Sequence, residues 1–463
     1  MVPFSQDNSK FPLLLPCYNH YVQEGILLDK LKNTLRALSY RNYRLFFIGQ
    51  GLSLIGTWMQ NIALAWLVYR LTNSAFWLGM VGFLSQIMIF VLSPIAGAVA
   101  DRFNRRHIMV WTQALLMLQA FILAALYFTG SITVWQIMLL SVFLGLVTAF
   151  DTPARQAYVI KMVEKKEDLG NAIALNSSLF NSARLIGPSI AGLVIALAGE
   201  GICFLINGVS YMAVIISLLL MNVKKEEPMK KESHILKEMK EGLAYAYRSH
   251  PIRSILLLLG FNSFIGMSYT ILMPVFASEI LHGGPQTLGF LMGSTGIGAL
   301  IGAFYLASRK SVLGLANLIA TATFVFGISL MAFAFSTSLW LSLILVLVAG
   351  FGMMLQMASC NTIVQTIVEE KMRGRVMSLY VMAFLGMAPF GSLLAGSAAH
   401  YIGVPSTIFF SGLYCLIGAV LFSLNLPELK KAIRPIYIKM GIIPEMATAI
   451  GTVSQLEVSP DKK

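Results

Sequence analysis

The residues best placed to do chemistry in this chain are charges set among apolar neighbours. Asp151 closes an apolar run in the order Asp151-Thr152-Pro153-Ala154-Arg155, and Arg184 stands inside the next run, followed by Gly187, Pro188 and Gly192. A carboxylate so placed can accept a proton or act as the structural partner of Arg155, Arg184 or the arginines around Arg102, and the sequence leaves both roles open. An unpaired arginine near mid-bilayer costs about 2.5 to 3.5 kcal/mol on insertion scales, so Arg184 is expected to face the interior and to meet a partner or an anionic ligand. Pro188 removes a helical hydrogen bond, and Gly187 and Gly192 thin the helix, which predicts a segment that bends and packs closely. In the first run Gln50, Thr57 and Asn61 recur at i, i+7 and i+11 with Trp58 beside them. Such a face lines a wet cavity, or else makes interhelical hydrogen bonds worth about 0.6 kcal/mol a pair. Asn181, Asn262, Tyr269 and Gln356 are further candidate cavity groups.

Only a membrane can position these residues. With 57% hydrophobic and 12% charged residues in 463, the chain lies far from the soluble norm of about 25% charged. Twelve apolar runs of about twenty residues follow one another from Tyr43 to Leu424, long enough for helices and unlike the short alternating segments of a barrel. With an inside amino terminus, all but two of the 34 Lys and Arg fall on the cytoplasmic side, Arg70 and Arg184 being the exceptions. The net charge of +13 is therefore orientation and not a nucleic-acid surface. Both termini are expected in the cytoplasm. No cleavable signal is read at the amino end.

The chain also repeats itself. Gly170, Gly187, Ala191, Gly192 and Gly208 return as Gly374, Gly391, Ala395, Gly396 and Gly412, each 204 residues on. The expected fold is an all-α membrane protein, twelve transmembrane helices in two pseudo-symmetric six-helix bundles around a central cavity. The domains are a cytoplasmic extension over 1–42, a first bundle over 43–222, a cytoplasmic linker over 223–253, a second bundle over 254–425 and a cytoplasmic tail over 426–463. Ile26 to Leu38 reads as a surface amphipathic helix or a plain basic flank. The linker reads as a helix whose apolar face is Ile235, Met239, Leu243 and Tyr247. Ile433 to Ile443 reads as a surface-associated part of the tail. Among the acids, only Asp101 and Asp151 are placed at or near membrane depth, and none within helices 7 to 12.

The loop after the second run reads Gly97-Ala98-Val99-Ala100-Asp101-Arg102-Phe103-Asn104-Arg105-Arg106. Here the chain resembles the major facilitator superfamily, whose signature in this loop is G-x-x-x-D-R-x-G-R-R/K. Asn104 stands in place of the last glycine, and both residue types tolerate a left-handed backbone, so the turn is expected to be kept. In this reading Gly97 lets two helices approach closely, and Asp101 accepts bonds from a basic side chain or a helix start. The run from Gly187 to Gly192 is similar to the G-P-x-x-G-G element of antiporting exporters, with Ala191 as the departure. From Tyr40 to Leu426 the chain resembles a bacterial branch that holds enterobactin-exporter-like and macrolide-efflux-like permeases. That resemblance implies a place in a bacterial cell inner membrane and export of an amphiphilic small molecule of siderophore or drug class by alternating access, driven by proton entry. A same-fold transporter of lipid or another solute without proton coupling is the alternative.

Other classes lack their marks. The six histidines lie at segment ends or outside the runs, the four cysteines have no metal-ligand spacing, and no P-loop occurs. Enzyme chemistry, cofactors, metal, ATP and nucleic acid are not expected. The short outside loops argue against a receptor or scaffold. The partners expected are lipid, a small-molecule substrate and protons, with the chain working as a monomer.

Overall fold

The computed structural model describes residues 35–222, 235–309 and 311–443. Among these, twelve helices are long and apolar enough to cross a membrane. The first six are α1 (Arg41–Thr72), α2 (Ala75–Arg102), α3 (Arg105–Phe128), α4 (Val134–Val159), α5 (Leu169–Ala198) and α6 (Glu200–Leu220). The second six are α7 (His250–Ile280), α8 (Pro285–Ser308), α9 (Leu315–Ala334), α10 (Leu339–Ile367), α11 (Arg373–Ile402) and α12 (Val404–Leu424). With an even number of spans, the linker helix and both ends of the described chain lie on one side. Among the described residues that side carries nearly all the lysines and arginines and is called here the basic end; the other is the far end.

The duplication is visible in what each repeated glycine touches. A Cβ on Gly187 would lie 2.5 Å from Trp58 Cβ on α1, and one on Gly391 would strike the Phe264 carbonyl on α7. Gly192 meets Gly289 of α8, and Gly396 meets Gly79 of α2, each across the two halves. Gly208 packs on α3, and Gly412 on α9. One further pair, also 204 residues apart, makes the far-end turns: Gly199 at φ +81° and Gly403 at φ +82°, a backbone that disfavours any side chain.

Packing differs at the two ends. One apolar cluster joins both halves at the far end, with Leu67, Val68, Leu78, Ile195, Phe276, Leu288 and Ala399 among its members. Towards the basic end the core divides into separate clusters, one around Tyr43, Met109 and Tyr158 and another around Ile255, Val364 and Tyr380. The stretch of α11 from Ala388 packs on α2, whereas its basic-end stretch, Arg373–Leu385, packs on α7 and the linker helix. The halves are thus sealed together at the far end and parted at the basic end.

Several local features refine these expectations. α5 is one continuous helix through Pro188 and packs closely at Gly187 and Gly192, whereas α11, with Ser392 at the position equivalent to Pro188, breaks at Gly386 and Met387. A Cβ at Gly386 would lie 2.6 Å from the Phe90 ring, and the freed Phe384 carbonyl accepts from Ser263 Oγ. α7 contains a 3-10 turn at Gly266–Ser268 and ends in a π turn, Phe276–Ile280, which carries Glu279. Glu279 and the buried Glu200 therefore add to Asp101 and Asp151 as acids of the spans. In the linker helix, Ile235–Arg248, the Ile235 and Met239 side chains of the expected apolar face lie outside the described residues. Leu243 and Tyr247 are exposed, while Ala246 on another side is buried and Glu241 pairs with Arg375 at 2.7 Å. Part of the tail is a helix of its own, α13 (Leu426–Lys439), which buries Leu429, Ile433 and Tyr437 against the second half. Of the stretch Ile26 to Leu38, all before Leu35 lies outside the described residues, as does Cys17; Arg36–Ser39 forms a 3-10 turn pinned by Ala37 N donating to Asn171 Oδ1 at 2.9 Å.

Candidate functional site

Arg184 sits halfway along α5, immediately before the residue at which the far-end seam stops. From Gly192 the seam runs through Ser189 against Gly293 to Leu185, whose Cα lies 2.9 Å from where a Gly296 Cβ would stand. One position further towards the basic end, the half-buried Arg184 guanidinium stands 5.9 Å from the centre of the Trp58 ring. Trp58 is held by Gly187, which admits its Cβ, and by an edge contact with Phe180 at 6.0 Å. Among the described residues no carboxylate pairs with Arg184. Its other electrostatic neighbour is Tyr269 of α7, on the opposite half.

Tyr269 is fully buried, yet its hydroxyl makes no hydrogen bond of ordinary geometry. Thr295 is its polar neighbour, a hydroxyl that donates to the Leu291 carbonyl at 3.0 Å and keeps its lone pairs towards the phenol. The site thus offers one accessible donor without an acceptor, the guanidinium beside its aromatic wall, with the Tyr269 phenol sealed in the core. An anionic group with an apolar body is the complementary ligand.

The other expected residues divide. Asn181, one turn before Arg184, shares its face and donates to Ser177 O at 2.9 Å. Asn61, one turn from Trp58, is exposed. Thr57 turns away into its own half and meets Tyr211 Oη at 3.3 Å. Gln50 is buried with Oε1 unpartnered. In the second half Asn262 and Gln356 are each 4% exposed and line a small cavity with Met353, Phe326 and Phe384; both amide atoms of Asn262 and the Gln356 Nε2 lack partners. The expected cavity set is therefore one mid-depth group at Arg184, one internal pocket in the second half, and residues that belong to neither.

Asp151 is consumed by its own half. Its Oδ1 accepts from Thr112 Oγ1 at 2.8 Å and Gln113 Nε2 at 2.9 Å, and its Oδ2 lies 3.3 Å from Arg155 Nε. Neither Arg184 nor the arginine loop reaches it. In that loop Asn104 is not left-handed: at φ −64° it caps α3, its Oδ1 accepting from Arg106 N at 2.9 Å and His107 N at 3.3 Å. A capping side chain does what glycine flexibility would otherwise do. Arg105 Nε donates to the Ala100 carbonyl at 3.2 Å, Arg106 to the Leu219 carbonyl at 3.0 Å, and Arg102 is exposed. Asp101 lies in the last turn of α2, with its side chain outside the described residues. Gly97 does not seat a helix here. A Cβ would meet nothing within 4 Å, nor would one on Gly170 or Gly374, because the halves stand apart at this end.

Sequence reading missed two polar groupings. Gln60 joins Gln119 at 3.0 Å and Asn207 at 2.9 Å, linking α1, α3 and α6. At the far end Glu200 binds Arg70 at 3.0 Å and Tyr127 Oη at 2.8 Å, and Tyr69 Oη donates across the halves to Glu279 Oε1 at 2.8 Å. The polar residues were visible, but the rotation of three separate helices that brings them together was not.

This architecture has known counterparts, and residues 32–442 match the family described as transmembrane secretion effector. The chain belongs to this family of major facilitator transporters. It is 27% identical to a staphyloferrin A transporter of Staphylococcus aureus, over 81% of this chain and 94% of that one. It is 24% identical to macrolide efflux protein A of Streptococcus pyogenes, again over 81% and 94%. Among solved structures, a bacterial homologue of the human lysosomal transporter Spinster, inward-facing and unoccupied, superposes with a TM-score of 0.67 at 13% identity. The match covers 85% of this chain and 98% of that one. The relatives and the fold are those of transporters, not of enzymes.

Proposed function

We propose that this protein exports an amphiphilic small molecule of the siderophore or drug class across a bacterial inner membrane by alternating access. The basic end is taken as cytoplasmic, following the distribution of lysine and arginine, so the present arrangement faces inward and receives substrate from the cytoplasm. The observation that carries the reading is Arg184, a mid-depth guanidinium at the end of the sealed seam with an aromatic partner and no carboxylate. The names of the two relatives, a siderophore transporter and a macrolide exporter, support the substrate class.

Proton entry as the driving reaction would have to pass through a carboxylate shared with the cavity. Asp151 is the candidate offered by the sequence, and its engagement by Thr112, Gln113 and Arg155 favours the structural role instead. The second reading, transport without proton coupling, draws its support from the same contacts.

Expression in an efflux-deficient bacterium tests the function. Cells making the native protein should accumulate less of at least one compound among a macrolide, an acridine dye and catecholate or carboxylate siderophores. Arg184→Gln should restore accumulation, and Arg184→Lys should retain part of the effect. Equal accumulation of every compound with and without the native protein would overturn the reading.

A further inference from the structure

Arg184 is the one formal charge at mid-depth of the described spans that no opposite charge answers, since Asp151 is paired with Arg155 and Glu200 with Arg70. It stands where the seam ends, with the cluster that joins the halves on its far side and the divided clusters on its basic side. A transmembrane voltage falls mostly across the low-dielectric plug that seals a pathway, not across the wet opening beneath it. With the far end sealed, Arg184 shares the potential of the basic end; with the opposite end sealed, it would share the potential of the far end. Reorienting the empty protein therefore carries close to one positive charge through the field, although the side chain itself moves little.

We propose that the membrane potential itself drives export, with Arg184 as the voltage-sensing charge and a monoanionic amphiphile as the substrate that cancels it. The inference rests on the efflux reading and on a cytoplasmic basic end. When loaded, guanidinium and anion carry no net charge, and the outward stroke is indifferent to voltage. When empty, the protein bears the charge of Arg184, and an inside-negative potential returns it to face the cytoplasm. Each cycle moves one negative charge outward and needs no proton and no second ion. The ligand class follows from the site: one carboxylate, sulfonate or phosphate-ester group accepting from the half-buried Arg184, with an apolar body against Trp58 and Phe180. A cationic substrate would add to the charge of Arg184, and the same voltage would oppose its export.

The test needs no substrate. Gly374→Cys, at the open basic end, is placed in a Cys17→Ser background, where the buried Cys203, Cys360 and Cys415 are shielded. The full-length protein is reconstituted in sealed liposomes at equal pH, and a potassium gradient with valinomycin sets the voltage. An impermeant maleimide in the bath labels only molecules whose basic end faces it. Labelling should quicken as the bath is made negative, the open-to-hidden ratio changing by up to about 50-fold per 100 mV for a full charge. The dependence should survive in Arg184→Lys and vanish in Arg184→Gln. Labelling indifferent to voltage with native Arg184 would overturn the proposal without any variant being required, and so would a dependence that persists in Arg184→Gln. The accumulation assay succeeds or fails without reference to voltage, so the two readings fall separately.

Discussion

At the scale of residues, an arginine and an aspartate that look alike in the sequence have opposite surroundings. Arg184 meets an aromatic face and no carboxylate among the described residues, whereas Asp151 meets three donors of its own half. Asp151→Asn would keep the bonds from Thr112 and Gln113 if its amide orients suitably, but leaves the Arg155 guanidinium without its charge partner. A loss of about 1 to 3 kcal/mol is expected, read as a lowered midpoint of thermal unfolding in detergent, with any pH dependence of flux unchanged. A pH dependence abolished in a well-folded Asp151→Asn would instead make Asp151 a proton carrier. Arg184 was legible in the sequence because a lone charge in a spanning run has few explanations. The burial of Tyr269 was not, since it depends on how α7 packs its 3-10 turn into the core of its half.

At the scale of elements, the two seams carry the connection between the halves. Gly192 against Gly289 and Gly396 against Gly79 bring helix backbones together with no room for a Cβ, each added atom falling 2.7 to 3.0 Å from the facing Cα. Gly192→Val or Gly396→Val should cost about 1 to 3 kcal/mol through overpacking and weaken the far-end seal, which slower maleimide labelling of Gly374→Cys would report. Unchanged labelling and stability would show that the seams tolerate separation. Between the same halves, the buried Tyr69 donates a hydrogen bond to the exposed Glu279. Tyr69→Phe and Glu279→Gln should each shift labelling in the same direction by a few-fold at most, and the double variant should add little to either single change. The constant 204-residue offset made these crossings legible as a duplication. It did not reveal which helices meet, nor the break in α11, because Gly386 becomes a breaking point only when Phe90 presses on it.

At the scale of the molecule, hydropathy and charge placement gave twelve spans close to those observed, because bilayer thickness and backbone hydrogen bonding leave an apolar chain little choice. The arrangement of the halves was beyond sequence reading. The same chain must also pack with its basic end closed, and Gly97, Gly170 and Gly374, which touch nothing here, are sites that such a closure can occupy. The central claim is that Arg184 receives an anionic amphiphile and that its charge couples export to voltage. Sealed liposomes with a clamped potassium potential test it most directly, with solute flux and lumenal pH recorded together for anionic, neutral and cationic compounds. The account predicts flux of an anionic compound that steepens with voltage, proceeds without matched proton movement and is lost in Arg184→Gln. Flux that follows the proton gradient, ignores voltage and survives Arg184→Gln would contradict it.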